Sequence, residues 1–256
     1  MAIRTTAILN LKGGVAKTTT AINMAAILAR DHRKRVLLID GDSQCNTTEF
    51  FGAESGGNLA DILRNARYYD EPGPYAASYI QGTHYDRIHI LPGDETLMDM
   101  DLSKVEQGTV NSNVLRYLVE EVKEQYDYIL IDCPPAFNAA SAAALIAADD
   151  VIIPIKLDAF SLRGMGNLMR QIKNMRRINP RLRVAGLLPT MWYKDSQIQE
   201  AEQQLRAAGL SVFHHIRRSD KVDKMTFQQE ALLISSPNSA AGVDYRKFVA
   251  EYVRGK

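Results

Sequence analysis

Three short segments of the chain are apolar at nearly every position: VLLID at 36–40, YILID at 128–132 and VIIPI at 151–155. A strand with one face in water alternates apolar and polar side chains, whereas a continuous apolar run belongs to a strand covered on both faces. The chain must therefore supply helices to both sides of a sheet, and helical patterns do separate the strands. Val114, Leu115, Leu118, Val119 and Val122 mark one apolar helix face. Leu162, Met165, Leu168, Met169, Ile172 and Met175 mark a second, and Ile198, Ala201, Leu205 and Ala208 a third. Strands are expected at 6–11, 35–40, 87–91, 128–132, 151–157, 183–188 and 211–216. Strands alternating with helices predict an α/β fold: a mainly parallel twisted sheet, flanked by helices and joined by right-handed crossovers. No internal repeat or low-complexity linker interrupts the pattern, so residues 1–256 read as a single domain.

Composition narrows the class. With 46% hydrophobic and 24% charged residues the chain is neither disordered nor fibrous. Its cysteines, Cys45 and Cys133, are too few for a disulfide framework and point to a reducing compartment. No apolar run approaches the ~20 residues of a membrane span, and the opening MAIRTTAILNLKGG lacks the parts of a signal peptide. A cytoplasmic protein without integral membrane association is expected. Charge is more informative by position than in total: residues 159–194 hold eight basic side chains and no acidic one. Such a stretch suits a polyanion, or simply a solvated surface.

The first expected strand runs into NLKGGVAKTTTAINMAA. Strand, glycine-rich turn and helix form the setting that a phosphate-binding loop needs. Gly13 and Gly14 permit a close approach that a Cβ would obstruct, and the amides of the turn and of the helix N-terminus point at an anion. Lys17 is placed to reach β- and γ-phosphates, and the Thr18 hydroxyl is a hard oxygen ligand for Mg2+. The standard spacing G-x-x-x-x-G-K-[ST] fails, because its glycines would fall at Leu11 and Ala16. The chain reads K-G-G-x-x-K-T instead, with a second lysine, Lys12.

Two carboxylate motifs follow. VLLIDGDSQCN puts Asp40 and Asp42 at a carboxyl strand end, where α/β sheets hold ligands and a carboxylate can orient an attacking water. Taken alone, such a pair more often forms turns or caps helices. YILIDCPP closes on Asp132, an aspartate after an apolar strand in the pattern that holds Mg2+ beside a nucleotide. Cys133 beside it reads as packing. His214 and His215, adjacent on an expected strand, would point to opposite faces and could not share one ion.

Together these motifs resemble the ParA/MinD family of deviant P-loop ATPases, most closely its small Soj-like partition members. The resemblance extends to D-C-P-P at 132–135, to VIIPIKLDAFSLRGM, similar to the family's I-P-x-x-x-x-x-A-L-x-G, and to SPNSAAGVDYRKFVAEYV. It implies a P-loop NTPase fold, ATP and Mg2+ as cofactors, and slow, partner-stimulated ATP hydrolysis. It further implies that Lys12, Gly13, Gly14, Val15, Ala16, Lys17, Thr18 and Thr19 bind ATP, Lys17 within its own chain and Lys12 across an ATP-sandwiched homodimer. Lys12 and Asp42 would then be catalytic, Asp42 positioning the water, with Thr18, Asp40 and Asp132 around Mg2+. Ala16 departs from the glycine of most members, and Ser43 from their proline. Residues 51–86 and 191–197 look idiosyncratic. The tyrosines of the first stretch, Tyr68, Tyr69, Tyr75, Tyr79 and Tyr85, read as local packing, and it is assigned no function.

Branches of the family differ in what they touch. A MinD-like, membrane-associated positioning ATPase needs a C-terminal amphipathic helix rich in lysine and large apolar side chains. Here Tyr245, Phe248, Val249, Tyr252 and Val253 form a helical stripe that better suits docking on the core. The partition branch needs a basic surface for sequence-independent contact with duplex phosphates. Lys173, Arg176 and Arg177, with Arg181, supply one such stretch, and Arg217, Arg218, Lys221 and Lys224 the other. The resemblance thus implies a nucleoid-associated ATPase of DNA partition that binds double-stranded DNA non-specifically and is released by a ParB-like partner. The alternatives are the MinD-like membrane ATPase and a nucleotide-gated protein scaffold that does not touch DNA.

Overall fold

Strands β1 (Arg4–Ile8), β2 (Val36–Asp40), β3 (Gln81–Gly82), β4 (Ile88–Leu91), β5 (Tyr128–Asp132), β6 (Asp150–Lys156) and β7 (Arg183–Thr190) form one seven-stranded sheet in the order β3-β4-β2-β5-β1-β6-β7. Every pairing is parallel except that of β3 with β4. The computed structural model describes residues 3–53, 56–64 and 75–255. Tyr68, Tyr69 and the Pro-Gly turn at 72–74 lie outside the described residues.

The apolar runs are buried on both faces, as their composition requires. Leu37 and Ile39 of β2, Ile129 and Ile131 of β5, and Val151 and Ile153 of β6 enter one core layer. It also takes up helices α3 (Leu59–Arg64), α4 (Tyr75–Ser78), α5 (Leu102–Glu106), α6 (Val114–Val122), α7 (Ala139–Ala147), α8 (Ala159–Met175) and α9 (Ser196–Ala207). Val36, Leu38, Tyr128, Leu130 and Ile152 face the other layer, with α1 (Lys17–Arg30), α2 (Asn46–Phe50), α11 (Leu232–Ser235) and α12 (Ala240–Arg254). All five predicted positions of α6 are buried. In α8 only Leu168, Ile172 and Met175 of the expected face are buried, while Leu162, Met165 and Met169 pack at its margin. In α9, Ile198 and Leu205 are buried and Ala208 is exposed. The C-terminal stripe is docked on the core: Tyr245, Phe248, Val249 and Tyr252 are buried.

Two strand expectations change. Residues 211–216 run beside β7 but form only the isolated bridge Leu187–Val212, because Pro189 has no N–H to continue a ladder. The segment is held instead by Phe213 N–H to Leu187 O (2.9 Å) and Ile216 N–H to Pro189 O (2.8 Å). Gly186 admits the Phe213 ring, which a Cβ there would meet at 2.7 Å. The antiparallel edge β3 is too short to leave a periodic signal. Because β1 lies between β5 and β6 while the chain proceeds to β2 on the far side of β5, the strand order reverses around β1. The crevice at that reversal, off the carboxyl ends of the strands, is where such sheets bind ligands.

Candidate nucleotide site

Register brings the three motifs together. Ile8, the last residue of β1, pairs with Asp132, and Asp132 pairs with Asp40 on its other side. The loop after β1 therefore opens directly over two buried carboxylates. Its base is tied down: Val15 is buried and its carbonyl accepts the Thr190 hydroxyl (3.1 Å), while Asn10 Oδ1 accepts the Lys12 N–H (3.0 Å). Gly14 has φ +67°, and a Cβ on Gly13 or Gly14 would meet no atom within 4 Å. The glycines thus face open space at the head of α1.

Ala16, the N-cap of α1, adopts φ 65°, ψ 36° and offers no side-chain acceptor. The first-turn amides of an α-helix have no partners inside the helix, so this helix start is left for an anion. Lys17 Nζ donates to the Lys12 carbonyl at 3.2 Å and so curls back over the loop. Burial lowers the Lys17 pKa, against the opposing pull of Asp132 and Asp42. The open helix start and the Lys17 ammonium together suit a phosphate group.

Asp132 Oδ2 accepts the hydroxyls of Thr18 (2.7 Å) and Thr47 (2.8 Å), while its Oδ1 is buried without a hydrogen-bond partner. Burial and the nearby Asp40 charge raise the Asp132 pKa, and burial raises that of Asp40. An orphaned carboxylate oxygen beside a threonine hydroxyl, amid excess negative charge, is a hard-oxygen setting that fits Mg2+. Thr18 and Asp132 would hold it. Asp40 differs from expectation: its Oδ1 accepts Asp42 N–H (3.1 Å), and its Oδ2 accepts the Thr48 N–H (2.8 Å) and hydroxyl (2.7 Å). It organises the loop from behind and offers a cation no unengaged oxygen. Asp42, nearly buried, lines the cavity and accepts Gln44 N–H at 3.1 Å.

The cavity has a volume of about 760 Å³. Gly13, Gly14, Ala16, Lys17, Thr18 and Thr19 of the loop and the start of α1 line it, and a further part of its wall is built by Met191, Tyr193, Ile216, Val222, Thr226 and Tyr245. Sequence reasoning missed that further part, since its residues come from three separate segments and carry no motif. It also missed Asp158, the N-cap of α8, which accepts Ser161 N–H (2.8 Å). The D-x-x-S spacing ahead of an apolar helix face could have marked that cap. Lys12 lies against Asp158: Nζ is 2.9 Å from each carboxylate oxygen and 3.0 Å from Ser161 Oγ. Lys17, not Lys12, lines the cavity.

The two basic stretches occupy opposite ends of the sheet. Helix α8 returns from the carboxyl end of β6 to the amino end of β7, so Lys173, Arg176 and Arg177 lie at the strands' amino ends. Arg181 and Arg183 there border a separate cavity with Ile3 and Asp149. Arg217 and Arg218 line the nucleotide cavity, and Lys221 and Lys224 follow on α10 (Asp220–Gln228). Arg217 is ion-paired with Asp244 (Nε–Oδ2 2.7 Å), so it is not the free cation expected of a phosphate contact. His214 and His215 also differ from expectation. Off a regular strand, their rings lie 5.1 Å apart and 21° from parallel, bonded to Asp244 and Glu202 respectively. Cys133 is buried, its thiol pKa raised by burial.

A family described as an AAA domain matches residues 3–184. The chromosome-partitioning ATPase Soj of Thermus thermophilus is 33% identical over 255 residues, covering 97% of this chain and 95% of that protein. The sporulation initiation inhibitor protein Soj of Bacillus subtilis is 32% identical over 236 residues, covering 91% and 87%. Among solved structures, apo McdA of Cyanothece superposes with a TM-score of 0.82 at 23% identity over 98% of this chain and 99% of the other. MinD of Pyrococcus horikoshii, complexed with Mg-ADP, gives 0.76 at 21% over 97% and 95%. These two structural likenesses speak to the fold. With its K-G-G-x-x-K-T loop over buried Asp132, and with these relatives along nearly its whole length, the chain belongs to the ParA/MinD family of P-loop ATPases.

Proposed function

We propose that the protein is a partition ATPase: ATP closes two copies into a sandwich, the closed dimer binds double-stranded DNA without sequence preference, and a ParB-like partner triggers hydrolysis and release. The observation that carries this reading is the docking of Lys12 on Asp158, away from the cavity that Lys17 lines. A loop lysine that its own phosphate site does not use is available to a second copy's nucleotide. ATP then shifts the population toward the dimer, because only the dimer gives Lys12 a phosphate partner.

Within the site, the loop amides and Lys17 hold the phosphates, and Asp42 at the cavity wall accepts a hydrogen bond from the attacking water. Thr18 and Asp132 would hold Mg2+, which would supply neutralisation of phosphate charge. For DNA, Arg218 lines the cavity and Lys221 and Lys224 follow it on α10, which also contributes Val222 and Thr226 to that wall, whereas Lys173, Arg176 and Arg177 form a second basic surface at the far sheet end. The docked C-terminal helix supports the DNA reading over the membrane reading, because its apolar stripe is already covered. No helix among the described residues is long and apolar enough to cross a membrane.

The test is binding to a random duplex with ATP, ADP or no nucleotide, at low and high salt. Salt-sensitive binding with ATP alone is expected. An ATP-formed dimer that ignores DNA would overturn the DNA step and leave the membrane or protein-scaffold reading.

A further inference from the structure

Asp244 is fully buried on α12, yet it carries a carboxylate. Burying a charge is costly unless it is paired and hydrogen-bonded. Here the pairing is concentrated on one neighbour. Asp244 Oδ2 accepts the Arg217 backbone N–H (3.1 Å) and Nε (2.7 Å), and Oδ1 accepts Arg217 Nη2 (2.9 Å) and His214 Nε2 (3.1 Å). These bonds hold the carboxyl pKa below its ordinary value although burial alone would raise it. One side chain thus fixes both the backbone and the guanidinium plane of Arg217. If α12 needed only anchoring, Tyr245, Phe248, Val249 and Tyr252 already provide it.

What the joint orients is a wall of the nucleotide cavity. Arg217 lines that cavity together with Ile216, Val222, Met191, Tyr193 and Tyr245, which lie outside the glycine loop. With phosphates on the loop, this part of the wall is left for the base and sugar. A guanidinium paired to a carboxylate brings no net charge, presents a flat face that stacks on an aromatic ring, and keeps its Nη1 group unengaged by Asp244.

We propose that Asp244 is a positioning residue for nucleotide recognition, setting Arg217 as a planar wall against the base of ATP. This rests on the ATP reading of the cavity.

The experiment measures equilibrium binding of ATP and CTP, both with Mg2+, to the full chain, together with the hydrolysis rate at saturating ATP. Asp244→Asn keeps the shape and removes the charge. Its ATP dissociation constant is expected to rise about tenfold, its preference for ATP over CTP to shrink by a like factor, and its saturated rate to stay within about twofold. Arg217→Gln is expected to do the same, and the double variant to be no worse than either single, since both act through one contact.

A merely structural role would lower the saturated rate and leave base preference unchanged, and that result would overturn the proposal. Additive losses in the double variant would overturn it too. If Asp244→Asn does not fold, Arg217→Lys carries the test, because it keeps a cation opposite the buried carboxylate and removes only the planar fork. Failure of the ATP reading looks different: the unaltered chain would then bind neither nucleotide.

Discussion

Lys12 Nζ sits 2.9 Å from both carboxylate oxygens of Asp158, an ion pair that joins the loop after β1 to the first turn of α8 within one chain. The pair is partly exposed, 37% for Lys12 and 27% for Asp158, so it adds little to stability and is easily exchanged for another anion. An exchangeable contact of this kind sets a threshold: a phosphate must outcompete Asp158 before Lys12 can leave.

Asp158→Asn therefore lowers folding stability by no more than about 1 kcal/mol and lowers the ATP concentration at which dimers form. Sedimentation velocity across an ATP titration measures the second effect. A midpoint identical to that of the unaltered chain would show that the contact does not compete with dimerisation.

The same pair fixes a pH dependence. Burial alone would raise the Asp158 carboxyl, but Lys12 and Ser161 hold it down at about 2. The folded value lies below the unfolded ~3.9, so the contribution is complete above about pH 4 and is lost as pH falls through about 2. Dimerisation by ATP should show no step from the Asp158 carboxylate between about pH 5 and 8, and light scattering over that range checks it.

Ala16→Gly is expected to stabilise the chain. Alanine at φ 65° is in the left-handed region, which costs roughly 1–2 kcal/mol, against roughly 0.5–1 kcal/mol for ordering a glycine. A net gain of about 0.5–1 kcal/mol follows, readable by urea denaturation. Ala16→Val, β-branched at the same angles, should lose stability.

Asp42→Ala should retain ATP binding and lose hydrolysis, because the Asp42 carboxylate accepts Gln44 N–H and, among the described residues, no bond from the glycine loop. Long-lived ATP dimers, followed by size-exclusion chromatography, are expected. Turnover at the unaltered rate would remove Asp42 from the mechanism.

Asp150→Ala tests a different joint. Asp150 is buried and takes hydrogen bonds from Arg4 Nε, Arg183 Nε (2.6 Å) and the Tyr252 hydroxyl (3.0 Å). Its removal strands the nearly buried Arg4 guanidinium, a change that costs about 3–5 kcal/mol in buried pairs. Chemical denaturation should show that loss, with Lys173 and Arg177 unaffected as surface groups.

Where the sequence was legible, one residue type at one spacing had one physical use. The glycines and Lys17, the strand-end Asp132, and the apolar face of α6 are all found as expected, because local geometry alone dictates them. The exceptions depend on partners remote in sequence. Asp40 read as a metal ligand, but Thr48 and the Asp42 amide occupy its oxygens. Arg217 read as a free cation until Asp244, on the last helix, was placed beside it. Residues 211–216 have strand composition, but the proline that denies them a ladder is on β7. The cavity wall outside the glycine loop gathers side chains from three segments, and no window of sequence contains it.

Helix α12 contributes Tyr245 to the cavity wall, Asp244 to Arg217 and Tyr252 to Asp150. On the ribosome, the glycine loop, Asp42 and Asp132 all emerge long before that helix does. A nascent chain therefore displays every one of those motifs while Tyr245 and the Asp244 hold on Arg217 are still missing, and a product cut short before α12 would carry the loop without that part of the cavity wall.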